Sequence, residues 1–241
     1  MKIFEAEQGS AEWVRLRLGI PTSSMFDQII TPKTMKLSSQ AAGYMNILIA
    51  EWITGEQVEQ FENDWTRHGT EYEAEAMAAY EFTSGQDVRQ VGFVTSDDGM
   101  VGASPDGMVG DNALVELKCP KANNHVGYMI QSDVNEKYKT QLQGQLWVCE
   151  REYVDIQSYC PGLPTVVIRE TRDEKYIALL SAAVRAFVDV MQETRVRLTQ
   201  KYGPFPERKR QAQSDDEPGP LNVSDEDVTQ IIKAGVSTPQ S

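Results

Sequence analysis

One short stretch of the chain carries residues whose types and spacing suit hydrolytic chemistry. Ala103-Ser104-Pro105-Asp106-Gly107 is followed, after nine residues beyond Asp106, by Glu116-Leu117-Lys118. Side chains alternate faces along a strand, so Glu116 and Lys118 point one way and Leu117 points into the opposite layer. Asp106 is expected to end the neighbouring strand just before a Pro-Asp-Gly turn. Two carboxylates and an ammonium then converge at one end of a hairpin. Hard oxygen donors with no histidine or cysteine among them suit Mg²⁺, with Mn²⁺ as a substitute, rather than zinc. A divalent ion of this kind clamps a phosphodiester and acidifies a bound water. The lysine orients that water or stabilises charge developing in the transition state. Pro-Asp-Gly alone is an ordinary turn and Glu-x-Lys alone an ordinary surface strand. The joint pattern, with a glutamate-bearing helix before it, is what points to catalysis.

The elements that must position these residues are legible from periodicity and punctuation. Leu37 to Thr54 reads as a helix capped by Ser38 or Ser39, with Tyr44, Leu48 and Trp52 in step and Gly55 as its stop. Thr70 to Thr83 reads as a second helix with Tyr72, Ala76, Ala79 and Tyr80 on one face and Gly85 as its end. Val91–Thr95 and Met100–Ala103 read as strands joined by a turn at Ser96-Asp97-Asp98-Gly99. Ala113–Cys119, Tyr153–Cys160 and Thr165–Glu170 read as further strands. Glu136–Glu150 reads as a helix with Tyr138, Leu142, Leu146 and Cys149 on its apolar face. Thr171-Arg172-Asp173-Glu174 fits a capping box. It opens a long helix striped by Ile177, Leu180, Val184, Phe187 and Met191. This order predicts an α/β fold: a small mixed β-sheet flanked by α-helices.

Ser104-Pro105-Asp106-Gly107 followed by Glu116-Leu117-Lys118-Cys119-Pro120 resembles the active-site signature of the phage lambda exonuclease and YqaJ viral recombinase family. That family lies within the PD-(D/E)xK nucleases, whose core is restriction-endonuclease-like. Further stretches resemble it in order. They are Glu7-Gln8-Gly9 with Trp13, Leu16-Arg17-Leu18-Gly19 leading into Thr22-Ser23-Ser24, Gly69 through Glu73, and Glu81 through Gly85. Gln141-Leu142-Gln143 with Trp147-Val148, and Arg172 through Tyr176, complete the set. The resemblance implies that Asp106 and Glu116 are metal ligands, with the Leu117 carbonyl as a third. Glu73 would bind a second metal or its waters. Lys118 would position or activate the attacking water, assisted by Gln141. Arg17 would bind the 5′-terminal phosphate of the DNA, with Ser24 and Ser104 lining the phosphate path. In lambda exonuclease an apolar residue just before the Gly69-like position helps separate the terminal base pair. Here that position is Thr66 with Trp65 adjacent, so Trp65 takes the wedge role or the wedge is weaker. The implied protein is a Mg²⁺-dependent 5′-to-3′ exonuclease that degrades linear double-stranded DNA and leaves 3′ single strands for phage-type recombination. It would be a ring-shaped homotrimer acting on duplex ends, partnered by a single-strand annealing protein. A PD-(D/E)xK endonuclease or single-strand nuclease of repair or restriction is the alternative, and a catalytically silent DNA-binding module is a third.

Composition limits the remaining choices. The formal net charge is −13, from 23 Lys and Arg against 36 Asp and Glu, which argues against a simple nucleic-acid coat. It leaves room for a locally basic channel, because binding depends on the local field. Candidates for such a lining are Lys33, Lys36, Lys121, Lys137 and Lys139. Three cysteines, none at CxxC spacing, are a poor disulfide framework and imply a reduced, cytoplasmic compartment, which the resemblance makes that of a bacterial host. No stretch has the length and apolarity of a membrane span. The composition shifts near Gly203. Residues 1–203 read as the nuclease domain, and 204–241 as an acidic, proline-rich, disordered tail in which Ser224 to Ile232 could start a short docking helix.

Overall fold

The computed structural model describes residues 1–58, 64–130 and 136–205; for residues 64–71 and 136–137 it describes the helical backbone alone. The elements in chain order are β1 (Lys2–Phe4), α1 (Ala11–Arg17), α2 (Phe26–Ile29), β2 (Ile30–Thr31), β3 (Lys36–Leu37), α3 (Ala41–Thr54) and α4 (Asp64–Ser84). There follow β4 (Val88–Arg89), β5 (Phe93–Thr95), β6 (Gly102–Ala103), β7 (Gly107–Val109), β8 (Ala113–Lys118) and α5 (Ala122–Ile130). Helix α6 (Glu136–Val148), β9 (Tyr153–Ser158), β10 (Val166–Thr171) and α7 (Glu174–Tyr202) complete the series. A five-stranded sheet runs in the order β10-β9-β8-β7-β4. Only its β8–β9 pair is parallel, so it is the expected mixed sheet. Parallel neighbours need a long crossover, and α5 and α6 supply it. Strands β1, β5 and β6 form a smaller sheet.

The central strand β8 is buried on both faces. Ala113, Val115 and Leu117 pack with Ala76, Met77 and Tyr80 of α4. Leu114 faces the other way, into the main core with Leu142 and Leu146 of α6 and Leu180, Val184 and Phe187 of α7. The stripe expected along α7 is buried throughout: Ile177, Leu180, Val184, Phe187 and Met191. The α4 side is tied to β9 by Tyr80, whose hydroxyl donates to Asp155 Oδ2 at 2.8 Å. Arg169 of β10 braces the same carboxylate through two bonds of 2.8 and 2.9 Å.

Several boundaries differ from the sequence reading. Helix α3 starts at Ala41, because Lys36–Leu37 pair with Ile30–Thr31 as a small hairpin. Its N-cap is Gln40, without a side-chain cap bond. The Ser38 hydroxyl accepts from the Gln40 amide just outside the helix, so neither serine caps it. Its stop is as expected, with Gly55 in the left-handed region at φ 69°. The capping box at Thr171 is corrected too. Thr171 is the last residue of β10, paired with Tyr153. Asp173 is the cap, accepting from the Tyr176 amide at 3.0 Å. Helix α4 is longer than the expected 70–83 segment. Helices α1 and α5 and the two-residue β4 had no strong periodic signal. Helix α7 ends at Tyr202, and Phe205 packs edge-on against Trp52 with ring centroids 5.6 Å apart. From residue 206 onward the expected tail, with its Ser224–Ile232 segment, lies outside the described residues.

Candidate active site

The site is built where β7 leaves β8. These strands pair from Val109↔Ala113 to Gly107↔Val115 and no further. Pro105 has no amide hydrogen and so cannot extend the ladder. The Asp106 carboxylate takes over instead: its Oδ2 accepts the Leu117 amide at 2.6 Å. Asp106 therefore precedes β7 rather than ending a strand before a turn, which corrects the sequence reading. The preceding strand, β6, belongs to the smaller sheet, and Ser104-Pro105 crosses between the two sheets. Gln8 fixes this crossing by donating from Nε2 to the carbonyls of Val91 and Pro105, at 3.0 and 2.9 Å. Asp106 and Glu116 through Lys118 still converge at one end of the β7–β8 hairpin, its open end.

Lys118 and Glu116 share a face, as strand alternation requires. Lys118 Nζ donates to Glu116 Oε1 at 2.6 Å. Gln141 Nε2 donates to the same oxygen at 2.6 Å, and Gln145 Nε2 to Glu116 Oε2 at 2.7 Å. The Lys118 ammonium also lies 4.9 Å from the centre of the Tyr138 ring. Glu73 stands on α4, half-buried and within electrostatic reach of Glu116 and Lys118. Its pKa is raised by burial first and then by the charge on Glu116. Asp106 is pushed well above the usual carboxylate range by burial and by Glu116. Burial opposes the charge on Lys118, but Glu116 and Asp106 outweigh it and raise the lysine. Three acids thus crowd around one ammonium.

This donor set fits a divalent ion, although not as a cage of side chains. Among the described residues no group of three or more His, Cys, Asp and Glu side chains closes on one point. Mg²⁺ is characteristically held by one or two carboxylates, keeping its other positions for water and substrate phosphate. Asp106 and Glu116 could supply the carboxylates. The amide and carbonyl of one strand residue share an edge. The Leu117 carbonyl therefore faces the gap left by β7, on the side where its amide meets Asp106. Asp106 and Glu73 are raised first by burial and then by the charge on Glu116, and a cation would offset both costs.

A second cluster adjoins the first through Ser104. Arg17, at the end of α1, donates from Nη1 to Ser104 Oγ at 2.8 Å and from Nη2 to Thr22 Oγ1 at 3.5 Å. Ser24 extends the hydroxyl row, 3.3 Å from Thr22 Oγ1. The guanidinium lies over Trp13, 4.1 Å from the ring centre, and 5.7 Å from that of Phe93. Trp13 is itself fixed by bonds from Nε1 to Gly92 O and Ser104 Oγ. Among the described residues the hydrogen-bond partners of Arg17 are hydroxyls, and Glu51 reaches it only through space. Burial lowers its pKa to about 10, which leaves it a cation at neutral pH. A half-buried cation whose partners are neutral hydroxyls and rings has the chemistry to take an anion. The loop after Arg17 is equally fixed. Gly19 turns at φ 69°, its amide donates to Glu51 Oε2 and its carbonyl accepts from Arg195. A Cβ there would meet Arg195, Leu48 and Trp52 at 2.9–3.1 Å.

The structure brings Asp106, Glu116, Leu117, Lys118 and Gln141 together, with Glu73 nearby, and joins Arg17, Ser104 and Ser24 in a separate row. The side chains of Trp65 and Thr66 lie outside the described residues. So does that of Lys137, while Lys139 pairs with Asp173 at 3.8 Å. Gln145, Tyr138, Thr22 and Phe93 were not foreseen. Gln145 is fully buried, because it lies three residues from Leu142 and so on a neighbouring stripe of α6 rather than on an outer face. Its place one turn beyond Gln141 was the one available signal.

A mixed sheet whose open hairpin end presents Asp106, Glu116 and Lys118 is the restriction-endonuclease-like core. Residues 12–152 match the YqaJ-like viral recombinase domain family, and the chain belongs to that family. It is similar to the alkaline exonuclease LHK-Exo from Laribacter hongkongensis, with 32% identity and a TM-score of 0.72, over 80% of this chain and 97% of that one. The structure of LHK-Exo in complex with dAMP matches to the same degree. A phage-related exonuclease from Haemophilus somnus 129PT shares the fold at 14% identity and a TM-score of 0.56, over 74% and 96% of the two chains. No curated protein matches the sequence significantly. Among the described residues no helix is long and apolar enough to cross a membrane.

Proposed function

We propose that this protein is a Mg²⁺-dependent nuclease that degrades linear duplex DNA from its 5′ ends and leaves 3′ single strands for recombination by annealing. The observation that carries the reading is the adjacency of two sites, a carboxylate–lysine centre at Asp106, Glu116 and Lys118 and an anion receptor at Arg17. Ser104 bonds the Arg17 guanidinium and stands two residues before Asp106. Two residues of extended chain reach at most about 7 Å, on the order of the spacing between neighbouring phosphates of one strand, whose component along the helix axis alone is ~3.4 Å. An anion held at Arg17 therefore places the adjoining phosphodiester near the carboxylates, as end-directed cleavage requires. Similarity to alkaline exonucleases supports the same activity.

Asp106, Glu116 and the Leu117 carbonyl would hold the metal, with Glu73 bearing on a second ion or its waters. Mg²⁺, or Mn²⁺ in its place, clamps a phosphodiester and makes a bound water more acidic. The chain's own groups do the remaining work. Lys118 and Gln141 point their N–H groups at one oxygen of Glu116 and so are placed to orient a water there. Lys118 further stabilises negative charge as it develops. Arg17 supplies a planar donor for the terminal phosphate, and Ser104 and Ser24 line its path. We extend the reading to a ring-shaped homotrimer in the bacterial cytoplasm that passes its product strand to a single-strand annealing protein. Trp65 or Thr66 would part the terminal base pair. The reading is tested by comparing digestion of linear duplex carrying a 5′-phosphate or a 5′-hydroxyl with that of closed circular DNA. Rapid loss of the 5′-phosphorylated substrate and persistence of the circle are expected. Cleavage of the circle at a similar rate would favour an endonuclease.

A further inference from the structure

Helix α6 delivers a second glutamine to the site. Gln145 lies one turn beyond Gln141 and is fully buried. Its Nε2 donates to Glu116 Oε2 at 2.7 Å, whereas Lys118 and Gln141 both donate to Oε1. Its own Oε1 is buried with no hydrogen-bond partner. An orphaned buried acceptor carries a desolvation penalty that an apolar side chain of similar shape would avoid. The benefit of an amide here therefore lies in its N–H.

We infer that Gln145 is a positioning residue for the metal-ligating carboxylate of Glu116, holding Oε2 inward so that Oε1 is the oxygen presented at the open end of the hairpin. This deepens the metal-dependent reading above and rests on it. The terminal torsion of a glutamate is broad and two-fold, so a carboxylate bonded on one oxygen only would sample orientations unsuited to ligation. Donors that orient a ligating carboxylate typically affect metal affinity 10–100-fold when removed. Gln141 and Lys118 are partly exposed and would be diverted once water and phosphate enter. Gln145 is fully buried, out of reach of entering water and phosphate, and so would keep its bond.

The test is titration of the full-length protein with Mn²⁺, following the spin-resonance signal of the free ion, for wild type, Gln145→Met and Gln145→Asn. Methionine keeps the length and volume without the N–H or the orphan oxygen. Asparagine keeps the amide but is one methylene too short to reach. Both variants are expected to bind Mn²⁺ about 10–100-fold more weakly. The metal-free Gln145→Met protein should melt close to wild type, because the donor lost by Glu116 is offset by removal of the unpaired acceptor. A residue that only packs would shift melting and leave Mn²⁺ affinity alone. Wild-type affinity in either folded variant would overturn the inference. Failure of both to fold would also overturn it, since Gln145 would then be a folding determinant. A wild-type protein that binds no Mn²⁺ would overturn the metal reading itself, and this inference with it.

Discussion

Replacing Arg17 with alanine should remove the preference for 5′-phosphorylated ends over 5′-hydroxyl ends. A guanidinium has five N–H donors, and Ser104 and Thr22 engage two of its nitrogens, Nη1 and Nη2. Further donors remain to meet a phosphate from its fixed position over Trp13. A hydrogen bond to a charged group contributes about 1.5–3 kcal/mol, which is roughly 10–150-fold at 1.4 kcal/mol per decade. Initiation on phosphorylated duplex should fall by at least that factor, while the hydroxyl substrate changes little. Arg17→Lys should recover charge but not the paired, planar geometry, and so fall between wild type and alanine. The assay is release of labelled nucleotide from matched duplexes differing only at the 5′ end, with melting curves to confirm folding. An equal loss on both substrates would refute the reasoning and make Arg17 a brace for the Ser104 crossing.

Asp106→Asn, Glu116→Gln and Lys118→Ala should each lower hydrolysis by at least about 10²–10³-fold; the double variants should fall well short of multiplicative, and near-wild-type turnover of any one at saturating Mg²⁺ contradicts its role. Asp106→Asn should also raise the melting temperature of the metal-free protein at neutral pH, by about 2–4 °C for each kcal/mol recovered from burying that charge and from its repulsion by Glu116. The sign follows from an acid whose pKa is raised on folding: its cost is full above the raised value and vanishes as pH falls into the ordinary range near 4, so the two melting curves should converge in acid. Tyr80→Phe removes a donor from the buried Asp155 and should cost about 1.5–3 kcal/mol, roughly 3–12 °C of melting temperature, without altering cleavage at low temperature; an unchanged melting point would show that Arg169 alone satisfies Asp155.

The parts of this site that follow short-range rules were legible in the sequence. Glu116 and Lys118 meet because strand residues two apart share a face, and the apolar stripe of α7 is buried because its period is helical. Asp106 was recognised as a member but misplaced, since Ser104-Pro105 crosses between two sheets and no local signal marks a crossing. Gln145 and Tyr138 were not assigned to the site because tertiary packing, not the period of α6, decides which of its side chains meet Glu116 and Lys118. The aromatic seat of Arg17 joins α1 to β5 through Phe93, a contact set by tertiary packing that periodicity cannot encode. The β8–β9 pairing and the α5–α6 crossover that makes it parallel likewise depend on the whole sheet.

The central claim is that Asp106, Glu116 and Lys118 hydrolyse duplex DNA from a 5′ end with a divalent ion. The most direct measurement uses linear 5′-phosphorylated duplex labelled separately at each strand end, incubated with purified protein and Mg²⁺. The account predicts early release of the 5′ label as small product, retention of the 3′ label, and no release when the metal is chelated. Early loss of the 3′ label, or release that continues without any divalent ion, would contradict it.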